Sequence, residues 1–343
     1  MSVQRQAELA PLTTLKVGGR ADRLIVAESQ SQLIDAVEDC DANSRALLVL
    51  AGGSNVVLRD DDFDGDVVLV RTQGIDVVDR SDCAGVTLTV AAGEPWDEVV
   101  AQAVANGWVG IESLSGIPGS TGATPIQNVG AYGQEVAQTI AQVRTFDREE
   151  KAIKTFAVAD CDFGYRTSKF RRNPRWVILD VTFQLELGTD SAPIAYGELA
   201  QALGVAVGQR APLAQVRETV LKLRRSKSMV LDDRDPESQS VGSFFTNPVL
   251  SQEQASALPA DAPRWPQPDG AVKTSAAWLI EQAGFSKGYS NGSARISAHH
   301  TLALVTTQGA KASDVLALAD SITTAVRGTF GIELLVEPTV MGS

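Results

Sequence analysis

Two stretches of this chain combine glycine with small polar residues in a way that suits phosphate binding. In Leu50-Ala51-Gly52-Gly53-Ser54-Asn55-Val56 an apolar run passes directly into two glycines, a serine and an asparagine. Glycine lets backbone N–H groups come close to an anion, although the same residues are also ordinary turn chemistry. In Leu114-Ser115-Gly116-Ile117-Pro118-Gly119-Ser120-Thr121-Gly122-Ala123 three glycines recur at intervals of three around a proline, and the passage continues into Gln127-Asn128-Val129-Gly130-Ala131-Tyr132-Gly133. Neither stretch is the G-x-G-x-x-G dinucleotide fingerprint or the G-x-x-x-x-G-K-[ST] phosphate loop. There is also no G-x-S-x-G elbow to present a hydrolase serine.

The composition narrows the chemistry further. The net charge of −12 argues against a nucleic-acid partner, because neutralising a phosphate backbone takes a basic surface. No apolar run approaches the ~20 residues needed to span a bilayer, and residues 1–11 lack the basic start and apolar core of a secretory signal. A soluble cytoplasmic protein without membrane insertion is expected. Cys40, Cys83 and Cys161 are odd in number and widely spaced, so they read as buried small hydrophobes, not as disulfides or zinc ligands. The only histidines, His299 and His300, are adjacent and cannot build a multi-histidine metal site, so no metal is expected. Chemistry is left to Ser, Arg, Lys, Tyr and Glu, or to an organic cofactor.

The 343 residues suggest two or three domains. A strand over 23–27, a helix capped by Ser31 and a strand over 46–50 read as a β-α-β unit. Strands are expected at 67–70, 86–91, 142–146, 155–158 and 176–187, with a helix opening at Glu94-Pro95-Trp96. A helix over 212–225 carries Leu213, Val216, Val220 and Leu223 at helical spacing and ends in Arg224, Arg225 and Lys227. Beyond it come a helix over 275–283, a strand over 301–306, and a helix from Ser313 with Val315, Leu318, Ala319, Ile322 and Val326 on one face. A closing strand is expected over 331–337.

Gly52-Gly53-Ser54-Asn55, Ser115-Gly116-Ile117-Pro118-Gly119 and Gln127-Asn128-Val129-Gly130-Ala131-Tyr132-Gly133 together resemble the flavin-binding signature of the UDP-N-acetylenolpyruvoylglucosamine reductase family. Tyr165-Arg166, Tyr196-Gly197, Arg224 with Lys227, Gly242-Ser243-Phe244-Phe245 with Asn247-Pro248, and Glu337 follow in the family's order, and the Tyr196 segment resembles its longer form. The resemblance covers essentially the whole chain. It implies an α/β (α+β) fold: a two-part FAD-binding module of the vanillyl-alcohol-oxidase/PCMH type, plus a C-terminal α/β substrate-binding domain. The FAD-binding subdomains would be residues 1–71 with 331–343 and residues 72–210, and the substrate domain residues 211–330. It further implies NADPH as hydride donor for the reduction of UDP-N-acetylglucosamine enolpyruvate to UDP-N-acetylmuramate; a monomer is expected.

By the same resemblance FAD is held by Gly52, Gly53, Ser54, Asn55, Val56, Ser115, Gly116, Ile117, Pro118, Gly119, Gly122, Ala123, Asn128, Gly130, Ala131 and Tyr132. Arg166 and Glu337 stabilise an enolate-like intermediate, and Ser243 gives the proton with Lys227 as helper. Tyr165, Tyr196, Arg224, Lys227, Gly242 and Asn247 bind the small-molecule UDP-sugar or NADPH. Blander readings stay open. Arg166 could sit in a surface ion pair, Gly242-Ser243 could be a turn, and Arg224 with Lys227 could complement a helix dipole. Glu337, not Glu333, is chosen by register from Gly331, and His300 lies where some relatives have a glutamine near the uridine. Two rival functions are an FAD-dependent oxidase of the same cofactor-binding fold and a non-catalytic sugar-nucleotide sensor.

Overall fold

In the computed structural model, which describes residues 1–81 and 83–342, the chain divides into two units. The first comprises Met1–Ala7, Ala21–Gly53 and Phe63–Ser226; the second comprises Glu8–Arg20, Ser54–Asp62 and the chain from Lys227 onward.

Two larger sheets lie in the first unit. One is ordered Ser2–Glu8, Arg20–Ala27, Phe63–Val70, Ala46–Leu50, with the last three strands parallel. Helix α1 (Gln30–Ala42) makes the expected crossover, and Val67 to Val70 are all buried, as a parallel strand covered on both faces should be. The helix is capped by Ser29, whose Oγ accepts the Gln32 amide at 3.2 Å, and not by Ser31. Ser29 is extended, whereas Ser31 already lies within the first turn.

The other sheet is antiparallel along Ala152–Ala157, Ile140–Asp147, Trp176–Leu187, Gly85–Ala91 and Ile75–Ser81, with Trp108–Val109 also paired to Trp176–Leu187. Helix α2 (Trp96–Ala105) buries Trp96, Val99, Val100 and Ala103, and the Trp96 ring lies 5.6 Å from that of Phe183. The strand expected over 155–158 is shifted, because Val158 opens a 3-10 turn. Strand Ile75–Ser81 was not expected: it is a mostly exposed edge without the apolar alternation that marks a half-buried strand. The short α3 (Gly197–Leu203) also lay outside the sequence reading. Helix α4 (Leu213–Arg225) buries Leu213, Val216 and Val220 as its spacing predicts.

The second unit contains α5 (Gln252–Ala257), α6 (Ala276–Gln282) and α7 (Ala312–Phe330) with short three-stranded sheets. Its core joins Phe244 and Phe245 to Leu279, Ile280 and the α7 face Val315, Leu318, Ala319, Ile322 and Val326. The strand expected at 301–306 is only Leu304–Thr306, since Ala303 turns back to bond the His300 carbonyl. The closing strand expected at 331–337 is likewise displaced. Ile332 and Leu334 are buried in alternation, which mimics a strand, but the regular strand is Thr339–Met341, paired in parallel with Val56–Leu58.

Cys40 and Cys161 are buried, while Cys83 is exposed, against expectation. Burial pushes the Cys40 thiol up to about 12, helped by its bond to Asp66. Among the described residues no helix is long and apolar enough to cross a membrane.

The N-terminus of α7 is capped from a distant loop. Asp60 accepts the Ala312 amide at 2.6 Å and the Ser313 amide at 2.9 Å. Burial opposes the charge, yet the hydrogen bonds from Ser313 and Ala312 hold the carboxyl below its ordinary range. Replacing Asp60 with Ala should cost about 1 kcal/mol, the usual loss for a helix cap, read as a lower denaturation midpoint. The folded pKa is depressed, so this contribution is present at neutral pH and is lost as pH falls through the depressed value.

Candidate active site

The two glycine-rich motifs meet by backbone contact. A Cβ on Gly52 would lie 2.6 Å from the Gly119 Cα, closer than any side chain allows, so only glycine fits there. The second loop is fixed from its other side by backbone bonds. The Trp96 amide donates to the Gly119 carbonyl, the Thr121 amide to Glu94 and the Gly122 amide to Ala92. A Cβ on Gly122 would fall 2.5 Å from the Ala92 Cβ. The Gly116 amide donates to Asp97 Oδ1 at 2.5 Å, whereas the Ile117 and Gly119 amides have no acceptor among the described residues. Ser115 is buried and its hydroxyl donates to the Glu112 carbonyl.

Downstream, Gly130–Ala131 pairs with Gln134–Glu135 across a two-residue turn. Both turn residues, Tyr132 (φ 49°) and Gly133 (φ 83°), are left-handed, which is the twist-matched hairpin geometry. Asn128 braces the hairpin, since its amide nitrogen donates to Glu135 and to the Gly164 carbonyl while its oxygen accepts the Ala137 amide. Arg166, itself left-handed at φ 53°, donates through Nη2 to the Gly130 carbonyl at 2.6 Å and lies 3.8 Å from Glu135. Its guanidinium stands 5.3 Å from the centroid of the half-exposed Tyr165 ring. The turn also presents Tyr132 edge-on to Tyr196, 5.7 Å between centroids. Burial pushes the Tyr132 phenol up to about 12 and raises Tyr196 as well, so both stay protonated at neutral pH. Arg224 is buried at the end of α4; burial lowers its pKa while Tyr132 and Asp97 oppose that shift.

In the second unit Ser243 and Glu337 share one strip of backbone. Ser243 bridges Ala303, Phe245 bridges Val336, and the Glu337 amide donates to the Phe244 carbonyl at 2.9 Å. Glu333, the alternative, is half-exposed and ion-paired with Arg327 at 3.5 Å. The Ser243 hydroxyl lies 3.5 Å from His300 Nε2. Gly242 is left-handed at φ 74°, and Asn247 spends its oxygen on the Ala276 amide at the start of α6. Lys227 begins the last segment of this unit, and Ser54, Asn55 and Val56 also belong to it; the Asn55 carbonyl accepts the Thr339 amide, and Val56 pairs with Thr339. Asp97 and Glu112 were not foreseen, because an acid in the first turn of an α-helix or of a short 3-10 turn carries no signal of its partners.

A model of the FAD binding domain matches residues 21–155, and a model of the UDP-N-acetylenolpyruvoylglucosamine reductase C-terminal domain matches residues 235–341. The UDP-N-acetylenolpyruvoylglucosamine reductase of Cutibacterium acnes is 50% identical over 97% of this chain and 89% of its own. That of Salinispora arenicola is 50% identical over 98% of this chain and 95% of its own. The chain belongs to the UDP-N-acetylenolpyruvoylglucosamine reductase family. The solved structure of the family's enzyme from Thermus caldophilus aligns over 100% of both chains with a TM-score of 0.68 at 25% identity. The chain is an FAD-dependent oxidoreductase with an FAD-binding module and a C-terminal α/β domain.

The residues present suit the cofactor of this reductase family. The Ile117 and Gly119 amides, both without an internal acceptor among the described residues, are neutral donors of the type a glycine loop offers a diphosphate. Replacing Gly52 with Ala forces its Cβ against Gly119 and should cost about 1–3 kcal/mol by overpacking. The purified variant should carry less flavin, read as the ratio of visible to protein absorbance, and should melt lower.

Proposed function

We propose that this chain reduces UDP-N-acetylenolpyruvoylglucosamine to UDP-N-acetylmuramate with hydride from NADPH. The observation that carries this reading is the 50% identity over nearly the whole chain to reductases of that name. FAD, when bound, supplies the hydride relay between donor and substrate. We assign its contacts to Gly52, Gly53, Ser54, Asn55, Val56, to the 115–119 loop with Gly122 and Ala123, and to Asn128, Gly130, Ala131 and Tyr132. The three-part division is kept as a functional one, 1–71 with 331–343, 72–210 and 211–330; the pairing of Thr339–Met341 with Val56–Leu58 supports grouping the chain's end with its beginning. The protein is proposed to act as a cytoplasmic monomer.

Hydride addition beside a carboxylate drives negative charge onto that carboxylate. A planar, permanently charged fork is suited to receive it, and the Arg166 guanidinium is oriented by the Gly130 carbonyl at one nitrogen and by the Glu135 carboxylate, 3.8 Å away, at another. The carbon next to the carboxylate then needs a proton. Ser243 is the proposed donor and Lys227 the helper that stabilises the developing alkoxide, since a serine is a weak acid. The backbone strip shared with Ser243 favours Glu337 over Glu333 as the carboxyl group that orients the intermediate. Tyr165, Tyr196, Arg224, Lys227, Gly242 and Asn247 are the proposed binders of the nucleotide-sugar and of NADPH. For Asn247 the bond to Ala276 makes the role one of shaping the wall.

The test is spectral. Flavin absorbance should bleach with NADPH under anaerobic conditions and return on addition of UDP-N-acetylenolpyruvoylglucosamine; bleaching without return would replace this substrate with another acceptor. In Ser243→Ala, bleaching should persist while the return slows by about 10²–10⁴-fold, the usual share of a general acid. In Arg166→Lys the return should slow with bleaching intact, because a point charge cannot match the two-pronged grip.

A further inference from the structure

The Gly116 amide, in the middle of the proposed cofactor loop, ends on a carboxylate. Asp97 Oδ1 accepts it at 2.5 Å, and Arg217 closes both carboxylate oxygens at 2.6 and 2.9 Å. Three elements therefore meet at one side chain: the first turn of α2, the glycine loop and α4. Complementing the α2 dipole would need no such partners. Burial works against the Asp97 charge, but Arg217, the Gly116 amide and the nearby Arg224 hold the carboxyl below its ordinary range. Gly116 is left-handed at φ 72°, a conformation that glycine adopts without the steric cost a side chain would bring.

We propose that Asp97, clamped by Arg217, is the positioning residue that sets the 115–119 loop for FAD. This rests on the flavin reading above. The amides divide the work: Gly116 anchors the loop to Asp97, while Ile117 and Gly119 keep their N–H groups without an acceptor among the described residues and so available to phosphate oxygens. Because Arg217 and Arg224 lie on the same helix, α4, the same carboxylate couples the cofactor loop to a proposed substrate cation.

The experiment follows flavin release from the purified holoprotein after dilution, by the rise in free-flavin fluorescence. Asp97→Ala should release flavin about tenfold faster or more, the scale of one charge-assisted hydrogen bond. Arg217→Gln should shift release in the same direction by less, and the double variant should be no faster than Asp97→Ala alone. Asp97→Asn, which keeps an acceptor and the side-chain shape, should fall between wild type and Asp97→Ala. Wild-type release rates in Asp97→Ala would overturn the proposal, as would effects that simply add in the double variant or release from Asp97→Asn as fast as from Asp97→Ala. A wild-type protein that never takes up flavin would instead remove the cofactor reading, and this inference with it.

Discussion

The approach of Gly52 to Gly119 is the constraint on which the cofactor region depends. The first glycine lies just past a parallel strand of one sheet; the second lies in a loop bonded to the lead-in of α2, which packs on the other sheet. At 2.6 Å from the Gly119 Cα a Cβ has no room, and the loop cannot retreat. Its Gly119 carbonyl is held by the Trp96 amide, and Trp96 is fully buried, its ring 5.6 Å from that of Phe183 and its indole N–H on the Leu114 carbonyl. A local composition, glycine beside an apolar run, thus becomes a tertiary joint between two sheets.

Much of this was legible because it depends on local rules. Helical spacing located α4 and α7 to within a residue at their starts, and the runs over 46–50 and 176–187 matched their strands to the residue. The glycine motifs were legible as possible phosphate cradles, though only the resemblance tied them to flavin. What the sequence withheld was set by tertiary partners. The edge strand Ile75–Ser81 exists because Gly85–Ala91 offers it a ladder. The end of the chain alternates like a strand at 332–336, yet its ladder partner, Val56–Leu58, is in register with Thr339–Met341. Asp97 and Glu112 look like solvated acids until the loops that donate to them are in place.

The acidic surplus shapes how an anion can be held. Several arginines are committed to internal carboxylates: Arg23 and Arg45 to the wholly buried Asp66, Arg175 to Asp147, Arg144 to Asp180. Pairs of this kind hold strands together, but removing one partner strands a buried charge, so they are poor candidates for release to a ligand. A glycine loop avoids the difficulty. Its amides bring donors without net charge, and their positions are set by backbone contacts that the surrounding charge does not disturb.

The tyrosine side of the site rests on a different device, a buried acid satisfied by neutral donors. Glu112 is fully buried and accepts the Gly110 amide at 2.7 Å, the Ala192 amide at 2.8 Å and Gln134 Nε2 at 3.0 Å. Gln134 follows the Tyr132–Gly133 turn, and Ala192 precedes the Tyr196 segment, so one carboxylate ties down both arms that bring the two rings together. A Cβ on Gly133 would meet the Ala195 Cβ at 2.8 Å, which shows how little slack separates those arms. A buried charge is costly unless every lone pair has a donor, and two of these three donors are main-chain amides whose positions leave few alternative arrangements. The desolvation that would count against Glu112 in a mobile loop here favours a single placement of Tyr132 and Tyr196.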